Sequence, residues 1–276
     1  MVTKRDYNSL EIEAAKSVLI ELMHLLGEYR EDIVIVGGWV PEFILNKKKE
    51  PYVGTIDVDV ALDHRKLQDE GYKSIQELLL NRGYTLGKQP FIFKRELEID
   101  NQKIIIQVDL LAGEYEGTGT SHRHQKFQGI HARKVRGCEI AFQNPIRLTV
   151  DGVLPSGGKD SVTIKIASIV PFLVMKGMAL DDRIKEKDAW DIYYCLTNYE
   201  GGLDGLIKEF KPYMDDGLVK EGLSKIAKHF ASIDHTGPKH VADFDEITDE
   251  EERARIQRDA FERVNYLLEN LGVVYK

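Results

Sequence analysis

Hydrophobic positions divide the chain into a first part, in which strand-like and helix-like patterns alternate, and a second part that is helix-like throughout. In the first part, apolar residues recur at near-helical spacing over residues 10–29, which predicts an amphipathic helix. Two shorter helices are predicted over 39–45 and 66–81. Short β-branched or alternating runs, several of them bounded by glycine, predict strands over 33–36, 55–62, 91–100, 103–111, 136–142, 146–150 and 162–166.

From residue 167 onward the apolar spacing is helical almost without interruption. The predicted helices cover about 168–180, 184–198, 203–213, 217–231 and 247–271. A mixed sheet flanked by helices is the economical architecture for the interleaved first part. The pattern therefore predicts an α+β protein with a mixed-sheet domain at 1–166 and an all-helical C-terminal domain at 167–276.

Composition narrows the class of protein without naming an activity. The 276 residues are 42% apolar and 30% charged, which is ordinary for a soluble globular protein. No run of eighteen apolar residues is present, and residues 1–13 lack the apolar core of a signal peptide, so we expect a cytoplasmic protein with no membrane partner. Cys138 and Cys195 fit no metal-binding spacing, and we expect buried thiols.

The segment 55–60 carries two aspartates that chemistry could use. Residues two apart on a strand share a face, so Asp57 and Asp59 point one way while Val58 and Val60 point into the core. Paired carboxylates on one rigid strand repel each other unless a cation lies between them, and oxygen ligands of this kind suit Mg²⁺. The alternative is the solvated outer face of an edge strand, where acidic residues cost little.

A third aspartate and a pair of glycines could complete such a site. Asp109 ends an otherwise apolar strand and could supply a third carboxylate for metal-assisted phosphoryl transfer. Asp63 and Asp100 also lie near strand ends and remain alternatives. Gly37 and Gly38 follow the β-branched run, where glycine lets the backbone approach a phosphate, although such a pair is more often an ordinary turn.

A fourth group of charges lies in the helical part. On one unbroken helix, Lys176, Arg183 and Lys187 would fall within about 20° of each other, and Asp188 and Asp191 share a face. That stripe is longer than a triphosphate needs, so we expect a break around residues 181–182 and only some of the cations at a site. Charged helix faces are usually solvated, but the apolar residues around Lys176 make a solvated lysine less expected there.

Basic side chains are concentrated in one segment, although the net charge of the chain is −8. A local basic patch can bind a phosphate backbone despite an acidic total. A flexible solvated loop with chance charge is the alternative. The residues concerned are His122, Arg123, His124, Lys126, His131, Arg133, Lys134 and Arg136.

The order of these motifs resembles the DNA polymerase β-like nucleotidyltransferase pattern: two glycines, then Asp57-x-Asp59, then Asp109 on a later strand. The block from Pro171 to Tyr193, with its lysine followed by D-x-x-D, is similar to that of the AbiEii/AbiGii toxin-like nucleotidyltransferases. The resemblance covers roughly residues 33–197.

The resemblance implies roles that spacing alone does not show. Asp57 and Asp59 would bind Mg²⁺ with Asp109 completing the set, and Lys176 and Asp191 would belong to the catalytic residues. The residues that would hold the NTP are Gly37, Gly38, Thr55, Lys176, Arg183 and Asp188.

Three hypotheses about function follow. The first is an NTP-dependent nucleotidyltransferase that acts on RNA, with tRNA as the expected acceptor and an antitoxin protein as a partner. The second keeps the carboxylates but transfers the nucleotide to a small-molecule antibiotic of the aminoglycoside type. The third is a nucleotide-binding module that has lost turnover, which the retained pair of repelling aspartates counts against.

Overall fold

The structure is a computed structural model that describes residues 2–45, 50–67, 74–99, 101–113, 124–127 and 130–273, with backbone alone for 124–127. Asp100 and the basic residues His122 and Arg123 therefore lie outside the described residues. Two compact units are present. One contains Asn8–Val40 and Gly54–Ser168, and the other contains Met1–Tyr7, Pro41–Val53 and Ile169–Lys276. The predicted domain division after residue 166 stays a prediction.

The first unit is built on a mixed sheet. The described strands are β1 (Ile33–Val36), β2 (Asp57–Leu62), β3 (Thr85–Leu86), β4 (Ile92–Ile99), β5 (Gln102–Ala112), β6 (His124–Phe127), β7 (Ile130–Lys134), β8 (Ile146–Val153) and β9 (Lys159–Ile166). Within the described residues the strand order is β3-β4-β5-β2-β1-β9-β8, and β7 joins the C-terminal end of β5 and pairs with β6. β2 pairs antiparallel with β1 and parallel with β5.

Helix α1 (Ser9–Leu25) packs on the sheet through its apolar residues. The side chain of Asn8 begins the helix by accepting a hydrogen bond from the Glu11 amide at 2.8 Å. Glu21, which is 3% exposed, accepts hydrogen bonds from Arg82 at 2.9 Å and from Arg95 at 2.7 Å. Paired in this way, a buried carboxylate ties α1 to β4 without leaving a charge uncompensated.

Two shorter helices complete the first part of the chain. They are α2 (Trp39–Ile44), which follows the glycine pair, and α3 (Ile75–Asn81). The helices of the second unit are α4 (Ile169–Arg183), α5 (Glu186–Asn198), α6 (Gly202–Phe210), α7 (Gly217–His229), α8 (Thr236–Phe244) and α9 (Glu250–Asn270). Among the helices that the structure describes, each falls short of the length or the apolar character that a bilayer-spanning helix requires.

Close packing of α4 on α7 depends on two small residues. A Cβ atom added to Gly177 would lie 2.5 Å from the carbonyl oxygen of Gly222, so neither position has room for a side chain. The helices approach each other there backbone to backbone, as small residues allow.

The predicted fold class is confirmed, since a mixed sheet with helices is followed by described residues 169–273 that form helices and their connections. Several predicted elements are wrong in detail. Residues 136–142 form no strand, because Gly137 has φ +85° and the chain turns there into a 3-10 helix over Cys138–Phe142. Helix α8 was not predicted. The basic segment, predicted as a loop, contains β6 and β7, and in the predicted helix 66–81 only α3 is a described helix.

Candidate active site

Strand β2 places Asp57 and Asp59 on one face of the sheet. Val58 and Val60 alternate with them and are fully buried on the other face, whereas both aspartates are half-buried. The alternation follows from the period of two along a strand. β2 is an inner strand, paired on both sides, so the alternative of a solvated edge strand is wrong.

Strand β5 brings a third carboxylate beside this pair. In the parallel pairing of β2 with β5, Asp59 lies opposite Asp109 and Asp57 lies opposite Gln107. Directly opposed residues project from the same face. We call this face, which carries Asp57, Asp59 and Asp109, the carboxylate face. Asp63, the alternative third carboxylate, follows the end of β2 and forms an ion pair with Lys66 at 3.2 Å.

Neighbouring polar side chains hold two of these carboxylates. The hydroxyl of Thr55 donates to Asp57 Oδ1 at 2.5 Å. The amide of Gln107 donates to both oxygens of Asp109, at 2.9 and 3.1 Å. Trp39 fixes the start of β2 through a hydrogen bond from its indole nitrogen to the Asp57 carbonyl at 2.9 Å. Gln107 and Trp39 were not predicted as site residues, although Gln107 is two residues before Asp109 and so shares its face.

The glycine turn after β1 lies against the same side chains. Gly37 has φ +70°, and a Cβ atom there would lie 2.1 Å from Oδ2 of Asp59. A Cβ atom on Gly38 would lie 2.6 Å from the Cβ of Thr55. Both the positive φ and the close approach require glycine at residue 37. The glycine turn therefore packs directly against the carboxylate face, so it does more than connect β1 to α2.

The donor set of the carboxylate face suits a hard cation such as Mg²⁺, which prefers carboxylate oxygens. Adjacent strands are about 4.8 Å apart, and residues two apart on a strand about 6.6 Å, so the three aspartates are spaced for shared coordination. In the part of the chain that is described, however, no group of three or more His, Cys, Asp or Glu side chains is arranged to hold an ion as it stands. The backbone places the ligands, and coordination would need their side chains to rotate.

A second group of predicted residues meets in the helical unit, where α4 and α5 carry a buried ion cluster. Lys176 forms ion pairs with Asp188 at 2.9 Å and with Asp191 at 2.6 Å. Arg183 binds the other oxygen of Asp188 at 2.7 Å. Lys187 contacts Asp191 at 3.0 Å, so all three cations gather around the two aspartates. The expectation that only some of them lie at a triphosphate site stays a prediction.

The break that makes this cluster possible comes later than predicted. Helix α4 continues through residues 181–182 to Arg183, Ile184 has φ +47°, and α5 begins at Glu186. Tyr52 was not predicted for the cluster, but its hydroxyl donates to Asp191 at 2.8 Å and accepts from Lys187 at 2.6 Å. Tyr52 lies in the connection before β2, and a single tyrosine there gives no sequence signal of this contact.

Burial and ion pairing shift the pKa values of Lys176 and Asp188 in opposite directions. Burial by itself lowers the pKa of Lys176, but the carboxylates of Asp188 and Asp191 outweigh it and the net pKa is raised. For Asp188, burial raises the pKa, while Lys176 and Arg183 outweigh burial and lower it. Burial and the nearby Asp191 raise the pKa of the Tyr52 hydroxyl well above its usual range. Asp188 is therefore an anion and Lys176 a cation at neutral pH.

The structure thus places the predicted residues in two groups, each within its own unit. The carboxylate face with its turn contains Gly37, Gly38, Thr55, Asp57, Asp59 and Asp109. The ion cluster contains Lys176, Arg183, Asp188 and Asp191. Of the basic segment, His131, Arg133 and Lys134 lie on β7, whose last residues pair with the end of β5.

No protein-family model matches the chain, and no curated protein matches it. Among solved structures, JHP933 from Helicobacter pylori aligns with 93% of this chain and 94% of its own, at 13% identity and a TM-score of 0.40. A second H. pylori protein, named provisionally as a nucleotidyltransferase, aligns over 91% of this chain and 94% of its own, at 12% identity and a TM-score of 0.43. Similarities this weak leave the function to be inferred from the chain's own residues.

Proposed function

We propose that the chain is a Mg²⁺-dependent nucleotidyltransferase that transfers a nucleotide from an NTP to an acceptor hydroxyl and releases pyrophosphate. One observation carries the proposal: Asp57, Asp59 and Asp109 lie on one face of two adjacent strands, and the glycine turn is packed against Asp59. Carboxylates at this spacing suit a metal-assisted phosphoryl transfer, and backbone amides at a glycine turn suit a phosphate.

In the proposed reaction, the acceptor oxygen forms a bond to the α-phosphorus, and the bond from that phosphorus to the pyrophosphate oxygen breaks. Asp109 helps to activate the acceptor by taking up its hydroxyl proton, and pyrophosphate leaves with the electron pair of the broken bond. Asp57 and Asp59 would hold Mg²⁺ together with Asp109. When bound, the ion would neutralise charge that develops on the transferred phosphoryl group.

The remaining predicted residues serve the nucleotide in this proposal. Backbone amides near Gly38 donate to the β- and γ-phosphates, and Thr55 orients Asp57 through the hydrogen bond between them. Lys176, Arg183, Asp188 and Asp191 are assigned to nucleotide binding and catalysis through the similarity of their block to the AbiEii/AbiGii proteins. The same similarity extends the proposal to an RNA acceptor, with tRNA foremost, and to a toxin that is restrained by an antitoxin.

The direct test of the proposal is transfer of label from each α-labelled NTP in turn to total cellular RNA in the presence of Mg²⁺. We expect labelled RNA with the wild-type protein and about a thousandfold less with Asp57→Asn or Asp59→Asn, because the metal ion that they would hold neutralises charge developing on the transferred phosphoryl group. Asp151→Asn, an exposed aspartate on β8, is the matched control. Circular dichroism and thermal unfolding should show that all variants fold.

Two results would count against the proposal. Near-wild-type transfer by Asp59→Asn would remove that residue from the reaction. Absence of transfer to RNA, protein or small molecules, together with NTP binding in calorimetry, would favour a nucleotide-binding module without turnover. Comparison of Asp109→Asn with Asp63→Asn tests the third carboxylate, and we expect loss of activity only with the former.

The toxin role can be tested separately in cells. We expect expression of the wild-type protein to arrest growth and expression of Asp59→Asn to leave growth unchanged. Growth arrest by both proteins would contradict a toxicity that depends on nucleotide transfer.

A further inference from the structure

A lysine on β4 lies in the same row of the sheet as the first catalytic aspartate. In the antiparallel pairing of β4 with β5, Lys94 lies opposite Gln107, and Gln107 lies opposite Asp57 in β2. Opposed residues share a face, so Lys94 belongs to the carboxylate face. Its Cα atom is two strands from that of Asp57, about 10 Å away, which a lysine side chain and one bound phosphate can span.

The charge of Lys94 has no ion-pair partner among the described residues, although the lysine is half-buried. Its neighbours on the same hairpin are paired: Arg95 contacts Glu21 at 2.7 Å on the opposite face, and Lys103 contacts Glu96 at 2.8 Å. Partial burial of an unpaired cation is unfavourable unless an anion meets it in the functional state. Lys94 therefore has the character of a ligand-binding residue.

The position of Lys94 also indicates which substrate it would meet. The glycine turn lies on the β1 side of the carboxylates, and Lys94 lies on the β4 side. In a phosphoryl transfer the attacking and leaving oxygens are roughly in line, so the acceptor and the pyrophosphate occupy opposite sides of the reacting phosphorus. If the turn holds the phosphates of the NTP, the β4 side is the side of the acceptor.

A second cation lies farther along the same face. Arg133 of β7 is opposite Leu111, which is two residues beyond Asp109 on β5 and so shares its face. It has no ion-pair partner within the described part of the chain. Glu96 and Glu98 share the face toward the far end of the hairpin, but Glu96 is paired with Lys103. Two cations without an ion-pair partner among the described residues thus lie along the edge of β5 that faces away from β2, and both favour an anion.

We propose that Lys94 is a specificity-determining residue that contacts a phosphate of the acceptor, and that the acceptor is a single-stranded RNA end. This inference rests on the proposed nucleotidyl transfer and deepens it by assigning the residue that would contact the acceptor. A polycationic aminoglycoside would place ammonium groups beside Lys94 and Arg133, and like charges at such distances repel. RNA places a phosphate within one nucleotide of its terminal hydroxyl.

The test measures the affinity of the full chain for a short fluorescein-labelled single-stranded RNA across a salt titration. We expect Lys94→Met to weaken RNA binding by roughly tenfold at low salt, the loss for one charge-assisted contact. The slope of log K against log salt should fall in magnitude by about 0.7, since one phosphate contact is lost from a single strand. Lys94→Arg should retain binding. Lys159→Met, an exposed lysine on β9, is the control.

Transfer assays with RNA and kanamycin as competing acceptors separate this inference from the proposed function. We expect Lys94→Met to raise KM for RNA while NTP binding in calorimetry stays unchanged. Transfer to kanamycin in preference to RNA, or RNA binding that is the same in wild type and Lys94→Met, overturns the role of Lys94 but leaves nucleotidyl transfer standing. If RNA binding depends on Lys94 but no acceptor receives a nucleotide, the result supports the RNA site and contradicts the proposed reaction. If Lys94→Met unfolds, Lys94→Gln takes its place.

Discussion

Gly37 is the residue at which the turn after β1 and the carboxylate strand approach most closely. Its backbone lies in the left-handed region, with φ +70°, and the space where a Cβ atom would stand is filled by Oδ2 of Asp59. A side chain at this position would both strain the turn and move a carboxylate that we assign to Mg²⁺. Substitution of Gly37 by alanine, which adds a single methyl group, therefore tests this contact between the turn and Asp59.

We predict that Gly37→Ala lowers kcat by about a hundredfold, because displacement of a reacting group by about 1 Å has an effect of that order. The left-handed backbone adds a loss of about 1–2 kcal/mol in the free energy of unfolding. Gly158→Ala is the matched control, since nothing lies within 4 Å of a Cβ atom there. Steady-state transfer kinetics and urea unfolding provide the two readouts. Unchanged kcat in Gly37→Ala would contradict a fitted turn.

Gln107 is the residue that positions Asp109 without itself reacting. Its amide donates to both carboxylate oxygens, so its loss should weaken the orientation of the aspartate. We predict that Gln107→Met lowers kcat by roughly tenfold to a hundredfold, the value of a hydrogen bond to a charged group, and leaves KM for the NTP unchanged. Gln102→Met, an exposed position at the start of the same strand, is the control. A change in KM alone would indicate a nucleotide contact.

At the scale of elements, the junction of α4 and α5 is stabilised by the ion cluster. Asp188 is 1% exposed and is held by Lys176 and Arg183. Removal of one partner from a buried ion pair leaves a charge without compensation, which typically costs about 3–5 kcal/mol. Lys176 keeps Asp191 as a partner in Asp188→Asn, so we predict a loss at the lower end of that range, about 3 kcal/mol, in the free energy of unfolding. Asp182→Asn, at an exposed position on α4, should unfold like the wild-type protein in urea.

The same pairing gives the cluster a defined pH dependence. The pKa of Asp188 is lowered in the folded protein from its ordinary value of 3.8, because Lys176 and Arg183 outweigh the effect of burial. A group with a lowered folded pKa stabilises the fold above its unfolded pKa, and this contribution is lost as pH falls. The stability difference between wild type and Asp188→Asn should therefore be complete at pH 7 and shrink below about pH 4. A difference that does not change with acidification would mean that the ionised form of Asp188 is not what stabilises the junction.

The elements also show what a single sequence can and cannot predict. Periodicity is local, so it was sufficient to place Asp57 and Asp59 on one face of β2 and to locate the helices from Ile169 onward, except α8. Register between strands is set by pairing across the sheet, and no local pattern predicts that Asp109 lies opposite Asp59. The strand predicted over 136–142 is wrong for a related reason, because the left-handed turn at Gly137 outweighs the strand-like composition of the segment.

At the scale of the whole molecule, fold class followed from the switch in apolar spacing near residue 166, and the two compact units also depend on contacts between distant parts of the chain. Residues Pro41–Val53 are close in sequence to the strands, yet they belong to the unit that contains the helices. Tyr52 shows the consequence, since it joins the ion cluster across more than a hundred residues of sequence. Contacts between residues so far apart in sequence depend on tertiary packing, and the local spacing of apolar and polar residues does not reveal them.

The central claim is that Asp57 and Asp59 bind the catalytic metal ion on the carboxylate face. The most direct measurement is the anomalous scattering map of crystals that contain Mn²⁺ and an NTP analogue with a non-cleavable α,β-bond. We predict a peak about 2.0–2.4 Å from carboxylate oxygens of both aspartates and of the triphosphate, the range for hard cations and oxygen ligands. A bound nucleotide with its metal elsewhere, and no peak beside Asp57 and Asp59, would contradict the claim.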